Sequence, residues 1–201
     1  MKYLAIDTSS KNLTVILNDG INSQVIDEFS GVRHSETLMP SIEKLVDKSG
    51  LSIKDLDFIA VVIGAGSFTG IRIAVSTVKA FCFAFNIPFL SVTSFDIIAY
   101  NEEYGKILAV LDAGHDGFYV CGYHDKKVVL EPCYIMKDEL IKLSKEYSLL
   151  SDSEIDGFNV KVVDRAKGFI LAIDQKQNEL QTDLELLVPL YVRKSQAEEG
   201  R

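Results

Sequence analysis

The stretch that most constrains this chain is a continuous apolar run, DFIAVVI at 57–63. The turn GAGSFTG follows at 64–70, and then IRIAVSTVKAFCFAF. Successive apolar positions suit a strand buried on both faces, which calls for cover on both sides of a sheet. The helix after the turn is apolar around nearly its whole circumference, at Ile71, Ile73, Ala74, Val75, Val78, Phe81, Cys82, Phe83 and Phe85. A helix of that kind is covered on all sides. One side lies on the sheet. The pattern predicts that the amphipathic helix at 35–49 and a second molecule share the rest, with Val75 on the seam facing that molecule.

Around this unit the elements fall into two similar halves. KYLAID, LTVILND and SQVIDEFSG read as three antiparallel strands joined by short turns. HSETLMPSIEKLVDKSG reads as a helix with Leu38, Met39, Ile42, Leu45 and Val46 on one face and Gly50 as its stop. NIPFLSV is a strand and SFDIIAYNEEY a second helix. The second half opens with three more strands, KILAVLDAG, GFYVCGYH and KVVLEPCYIM. KDELIKLSKEY then reads as a helix, NVKVVD as a strand and GFILAIDQKQNEL as a helix. The expected fold is α/β, two lobes of one duplicated design with mixed sheets and flanking helices, divided at Asn101–Gly105 into 1–100 and 101–201.

Charge excludes one class of function. The net charge is −8 and no dense basic patch is visible. A chain that grips RNA phosphates alone needs such a patch, so any RNA is held by another chain. Cys82, Cys121 and Cys133 form no C-x-x-C pair and read as reduced thiols of a cytoplasmic protein. Arg72, Ser76, Thr77 and Lys79 interrupt the apolar helix, which therefore reads as no membrane span, and the start of the chain shows no signal-peptide pattern.

The turn fits none of three familiar chemistries. A P-loop requires G-K-[ST], but Gly70 precedes Ile71 and Arg72. A nucleophile elbow requires G-x-S-x-G, but Ala65 and Thr69 flank Ser67. A dinucleotide fingerprint belongs in the first β–α turn, and three strands precede this one. The glycines instead let the chain leave a buried strand sharply and approach its surroundings closely. Ser67 or Thr69 caps the helix, and the amides there suit an anion that a neighbour presents.

LAIDTS, HSETLMPSIEKL, GAGSFTGIRIAVSTVKA and PLYVRKSQAEE together resemble the TsaB (YeaZ-like) family, with Ala65 where that family more often has proline. The resemblance implies two RNase-H-like lobes of the actin/Hsp70-like (ASKHA) superfold. It also implies a cytoplasmic, non-catalytic scaffold that is a homodimer when alone and touches no membrane. Such a scaffold pairs with a TsaD-like paralogue, which transfers threonylcarbamoyl to the adenosine beside the tRNA anticodon, and recruits a TsaE-like ATPase. tRNA is met only through that complex. The interface would comprise His34, Glu36, Leu38, Met39, Ile42, Leu45 and Val46 on one helix. Gly70, Ile71, Ala74, Val75, Val78, Phe81 and Cys82 would supply the other. The late segment Val188–Arg193 would pack back on the first lobe.

The family's catalytic paralogue holds its metal through H-x-x-x-H, two histidines on one helix face. Here His34 is followed four residues on by Leu38, and His115 and His124 lie apart in the second half, so no metal is expected. The first hairpin, Asp7 to Asn12, lacks the glycine that lets a phosphate approach the backbone. The second carries D-x-G at Asp112–Gly114. Asp7, Thr8, Gly64, Gly66, Ser67, Thr69, Asp112 and Gly114 are the candidate contacts to an anion or a shared nucleotide. No cofactor is expected of the chain alone, and ATP or ADP would sit at a shared interface. The alternative is an active actin-like small-molecule kinase or ATPase working through Asp7, Thr8, Asp112 and Gly114. No Ser-His-Asp constellation supports a peptidase.

Overall fold

The computed structural model describes residues 1–31 and 33–193. It contains two compact units, one of Met1–Thr93 with Ile173–Leu190 and one starting at Ser94–Ala172 and resuming at Tyr191. This differs from the expected division at Asn101–Gly105. The helix at Ser94–Ala99 is wholly buried and packs on the strands that follow it, so the second unit begins before the polar stretch.

In the first unit, β1 (Lys2–Asp7), β2 (Asn12–Asp19) and β3 (Ser23–Phe29) form an antiparallel meander. β4 (Phe58–Val62) and β5 (Phe89–Val92) then add in parallel beside β1, giving the order β3-β2-β1-β4-β5. Every residue of β4 is buried, as its unbroken apolar run predicts. α1 (His34–Ser49) and α2 (Phe68–Phe85) cover the sheet. Leu38, Ile42 and Leu45 of α1 join Ile71, Ala74, Val75, Val78 and Cys82 of α2 in one core with Leu4, Ile6, Ile59 and Val61. Gly50 ends α1 in the left-handed region, its N–H on the Val46 carbonyl, and Pro40 lies within the helix on its exposed side.

The second unit repeats the plan. β6 (Lys106–Gly114), β7 (Gly117–His124) and β8 (Lys127–Met136) form the meander. β9 (Ser148–Ser151) and β10 (Lys161–Val162) add in parallel beside β6, in the order β10-β9-β6-β7-β8. α3 (Ser94–Ala99) and α4 (Lys137–Leu143) flank this sheet, and α5 (Arg165–Lys176) follows β10. The expected helices over SFDIIAYNEEY and KDELIKLSKEY are shorter than their patterns suggested, and β9 occupies a position read as connection.

The chain after α5 returns to the first unit. Gln181 and Phe89 exchange two backbone hydrogen bonds of 2.9 Å on the outer edge of β5, and the Leu190 N–H donates to the Ile63 carbonyl at 2.7 Å. Of the late segment, Val188–Leu190 belong with the first unit. Tyr191–Arg193 belong with the second unit, where the Arg193 guanidinium stacks over Tyr134.

α2 is the one helix among the described residues long and apolar enough to cross a membrane. One side of it packs in the core, with Gly70, Ile71, Ala74, Val75, Val78 and Cys82 buried, while Phe83 and Phe85 are exposed.

Candidate functional site

Two features of the first unit meet at the start of α2: the β1–β2 hairpin and the GAGSFTG turn. The hairpin is closed on itself. The Asp7 carboxylate accepts from the Ser9 N–H at 2.8 Å and from the Ser9 hydroxyl at 2.6 Å. It is also locked onto α2. The Thr8 hydroxyl donates to the Gly70 carbonyl at 2.6 Å, and the Ser67 N–H donates to the Ser9 carbonyl at 2.7 Å. Asp7, Thr8 and Ser9 are all buried.

The glycines follow from this fit. A Cβ on Gly66 would overlap the Ser9 carbonyl oxygen, and one on Gly70 would overlap that of Thr8. Gly64 faces the Leu190 carbonyl, where a Cβ would stand 2.5 Å away, and its peptide to Ala65 is cis. Gly64 and Gly66 also hold φ of +125° and +146°, which side chains rarely adopt. Of the two residues expected to cap α2, Ser67 does so, accepting from the Gly70 N–H at 3.1 Å. The turn thus receives a protein hairpin at the place where a phosphate loop would receive a ligand.

Asp7, Thr8, Gly66, Ser67 and Gly70 come together. Gly64 sits beside Leu190, and Thr69 is exposed on the groove between α1 and α2. Asp112 and Gly114 belong to the second unit, where the exposed Asp112 carboxylate accepts from the Gly114 N–H at 2.7 Å within its own turn. His115 and Asp116 complete that turn with φ of 54° and 58°.

His34 opens α1 but points inward. It is buried, and its Nε2 lies 2.9 Å from the Ser10 carbonyl. With that carbonyl as acceptor, Nε2 carries the hydrogen. Leu38, one turn on, is 1% exposed and part of the core. Among the described residues no three His, Cys, Asp or Glu side chains cluster as metal ligands.

The residues expected at an interface divide sharply. His34, Leu38, Ile42, Leu45, Gly70, Ile71, Ala74, Val75, Val78 and Cys82 are buried in the unit's own core. Val75, expected on an outward seam, is 5% exposed. The correction has a simple cause: the sheet and α1 take the apolar residues of α2 that recur every three or four positions, and only the opposite stripe is left. Of the expected set, Glu36 and Met39 are exposed, and Val46 and Phe81 are half-buried. Sequence reasoning missed the groove of about 490 Å³ between the helices. Ser35 and Met39 line it from α1, and Phe68, Arg72, Ile73 and Ser76 from α2. The Arg72 guanidinium lies over the Phe68 ring at 3.9 Å, which fixes a cation at the groove.

The two sheets share one mixed order, a meander whose first strand pairs in parallel with two later strands. That repeat defines a protein of two RNase-H-like lobes of the actin-like (ASKHA) class. Two solved structures from Pseudomonas aeruginosa carry the same fold. One, described as an uncharacterized protein with similarity to peptidase YeaZ, aligns with a TM-score of 0.78 at 20% identity, covering 96% of this chain and 99% of the other. The other, YeaZ, aligns at 0.77 and 22% identity, covering 94% and 99%.

The family model described as tRNA N6-adenosine threonylcarbamoyltransferase (TsaD) matches residues 15–171. The tRNA threonylcarbamoyladenosine biosynthesis protein TsaB of Bacillus subtilis is 29% identical over 98% of this chain and 96% of its own length. Its Escherichia coli namesake is 28% identical over 73% and 69%. The chain belongs to this TsaD-like family, in its TsaB (YeaZ-like) branch.

Proposed function

We propose that the chain is a non-catalytic subunit in the threonylcarbamoylation of the adenosine beside the tRNA anticodon, acting in the cytoplasm as the partner of a TsaD-like paralogue. The observation that carries this reading is the filled turn. Thr8 and Ser9 occupy the start of α2 with their own backbone, leaving the hairpin's polar groups engaged within the protein. Leu38 and the inward-facing His34 support it, because α1 offers no histidine pair on one face.

The stripe of α1 and α2 outside the core is the partner surface of this reading. Met39 is 49% exposed there beside the Arg72 groove. A paralogue with the same fold would present the same two helices and give a pseudo-symmetric four-helix contact, and a second copy would give the homodimer. A TsaE-like ATPase would join that pair, and ATP or ADP would lie at the shared interface. tRNA would be held by the paralogue, since this chain carries net −8. Three free cysteines fit a reducing compartment.

Reconstitution tests the reading. The paralogue, the ATPase and unmodified tRNA are incubated with ATP, threonine and bicarbonate plus the enzyme that makes the activated threonylcarbamoyl donor, with and without this chain. Modification should require the chain, and the chain should yield none when it replaces the paralogue. Transfer by the chain without the paralogue would overturn the proposal.

A further inference from the structure

The second unit holds a cavity of about 730 Å³ that the partner reading does not use. It lies beside the short β10, which pairs only with Leu150 and Ser151, and the loop at 157–160 lines it together with the first half of β9. The cavity opens at the amino ends of β6 and β9, beside Lys106 and Ser148. Open α/β sheets usually bind ligands at the carboxyl ends of their strands, so this is a separate place on the lobe.

Its walls are fixed. Phe158 packs edge-on against Phe118 at 6.0 Å, and Tyr147 lies over Gly122, where a Cβ would stand 3.2 Å from the ring. Both rings pack on the core of this unit. Leu149, on the same face of the sheet, supplies an apolar floor. The rim carries charge. Lys161 is paired with Glu102, whereas Lys106 has no ionic partner among the described residues. One uncompensated ammonium thus sits at the mouth of an aromatic-walled cavity in a chain of net −8. Its size falls within the roughly 300–1,000 Å³ of small-molecule sites.

We propose that this cavity binds a small planar organic anion, its ring between Tyr147 and Phe158 and its carboxylate or phosphate on Lys106. Asn159 at the rim offers an amide to a polar ring edge. The site is independent of the α1–α2 surface, so its failure leaves the function proposed above untouched.

The test is titration of the full ¹⁵N-labelled chain by NMR with four probes: AMP, anthranilate, adenosine and inorganic phosphate. AMP or anthranilate should shift the amides of Gly105, Ser148 and Asn159 saturably, and which of the two does so distinguishes phosphate from carboxylate. Adenosine and phosphate, each lacking one half of the chemistry, should bind far more weakly. Lys106 is exposed, so Lys106→Ala should fold; it should weaken binding about tenfold, the loss of one charge-assisted contact, and Lys106→Arg should restore it. Absence of saturation by both anions, equal binding of adenosine and AMP, or unchanged binding by Lys106→Ala would each overturn the proposal.

Discussion

The hydroxyl of Thr8 and the carbonyl of Gly70, sixty-two residues apart, are joined by a buried hydrogen bond of 2.6 Å. The same pair is in backbone contact so close that residue 70 has no room for a side chain. One relationship therefore ties the first hairpin to the first turn of α2 by both a bond and a steric fit. Gly70→Ala should destabilise the chain by about 2–4 kcal/mol, because neither backbone can yield without moving an element. Thr8→Val, which keeps the shape and removes the donor, should lower stability by about 1–2 kcal/mol. Urea unfolding followed by circular dichroism measures both. A Gly70→Ala protein as stable as the parent would contradict the fit described.

The two stripes of α2 make opposite predictions for charge. Arg72→Glu and Met39→Glu lie on the groove and should leave the fold intact while abolishing association with the paralogue. Val75→Glu buries a carboxylate without a partner in the core and should unfold the first unit. Light scattering after size exclusion, with thermal melts of each variant, separates the cases. Intact association in both groove variants would remove the α1–α2 stripe as the partner surface.

Stability should fall in alkali. Burial raises the Cys82 thiol to about 11 and the Cys121 thiol to about 12, from an ordinary 9.0. Tyr123 is also raised, chiefly by burial and then by the Asp96 carboxylate beside it. In each case the folded state keeps its proton after the unfolded chain has lost it, so the unfolded state binds fewer protons and stability falls as pH rises. The contribution is intact below about pH 9 and is lost progressively from there towards 11 and 12. Urea midpoints at rising pH should show this, and Cys121→Ala should flatten the slope. An unchanged midpoint across that window would refute it.

Tyr123 and Asp96 form a buried pair in the second unit, with the phenol donating to the carboxylate at 2.9 Å. Tyr123→Phe keeps the ring that packs edge-on with Tyr100 and removes only the donor. A buried carboxylate that loses one donor should cost about 1–3 kcal/mol. The variant's melting temperature reads this directly, and a value equal to the parent's would show that Asp96 does not depend on the phenol.

Much of this architecture was legible from pattern. The run at Phe58–Val62, the Ser67 cap, the Gly50 stop and the repeated three-strand opening are local features with local causes. β9 was not, because Ser148–Ser151 reads SLLS, four residues without a β-branched side chain directly after a charged helix. The buried face of α2 was not legible either. A helix apolar all round carries no mark of which stripe the sheet will take, and Val75 fell on the inner one. The contact from the His34 ring to the Ser10 carbonyl and the lock of Ser9 onto Ser67 are long-range fits to main-chain groups, and only the second leaves a trace, in the glycines of the turn.

The bridge between Phe89 and Gln181 bears on how the protein is made. The first lobe takes its outermost edge from residues that follow 94–172 in sequence, so it stays unfinished while the ribosome builds that intervening part of the second lobe. A fragment stopped near residue 100 would lack that edge and the Leu190 contact at Ile63. The lobe that bears the α1–α2 surface is therefore complete only after residues 173–190 have emerged, well behind the helices that form that surface.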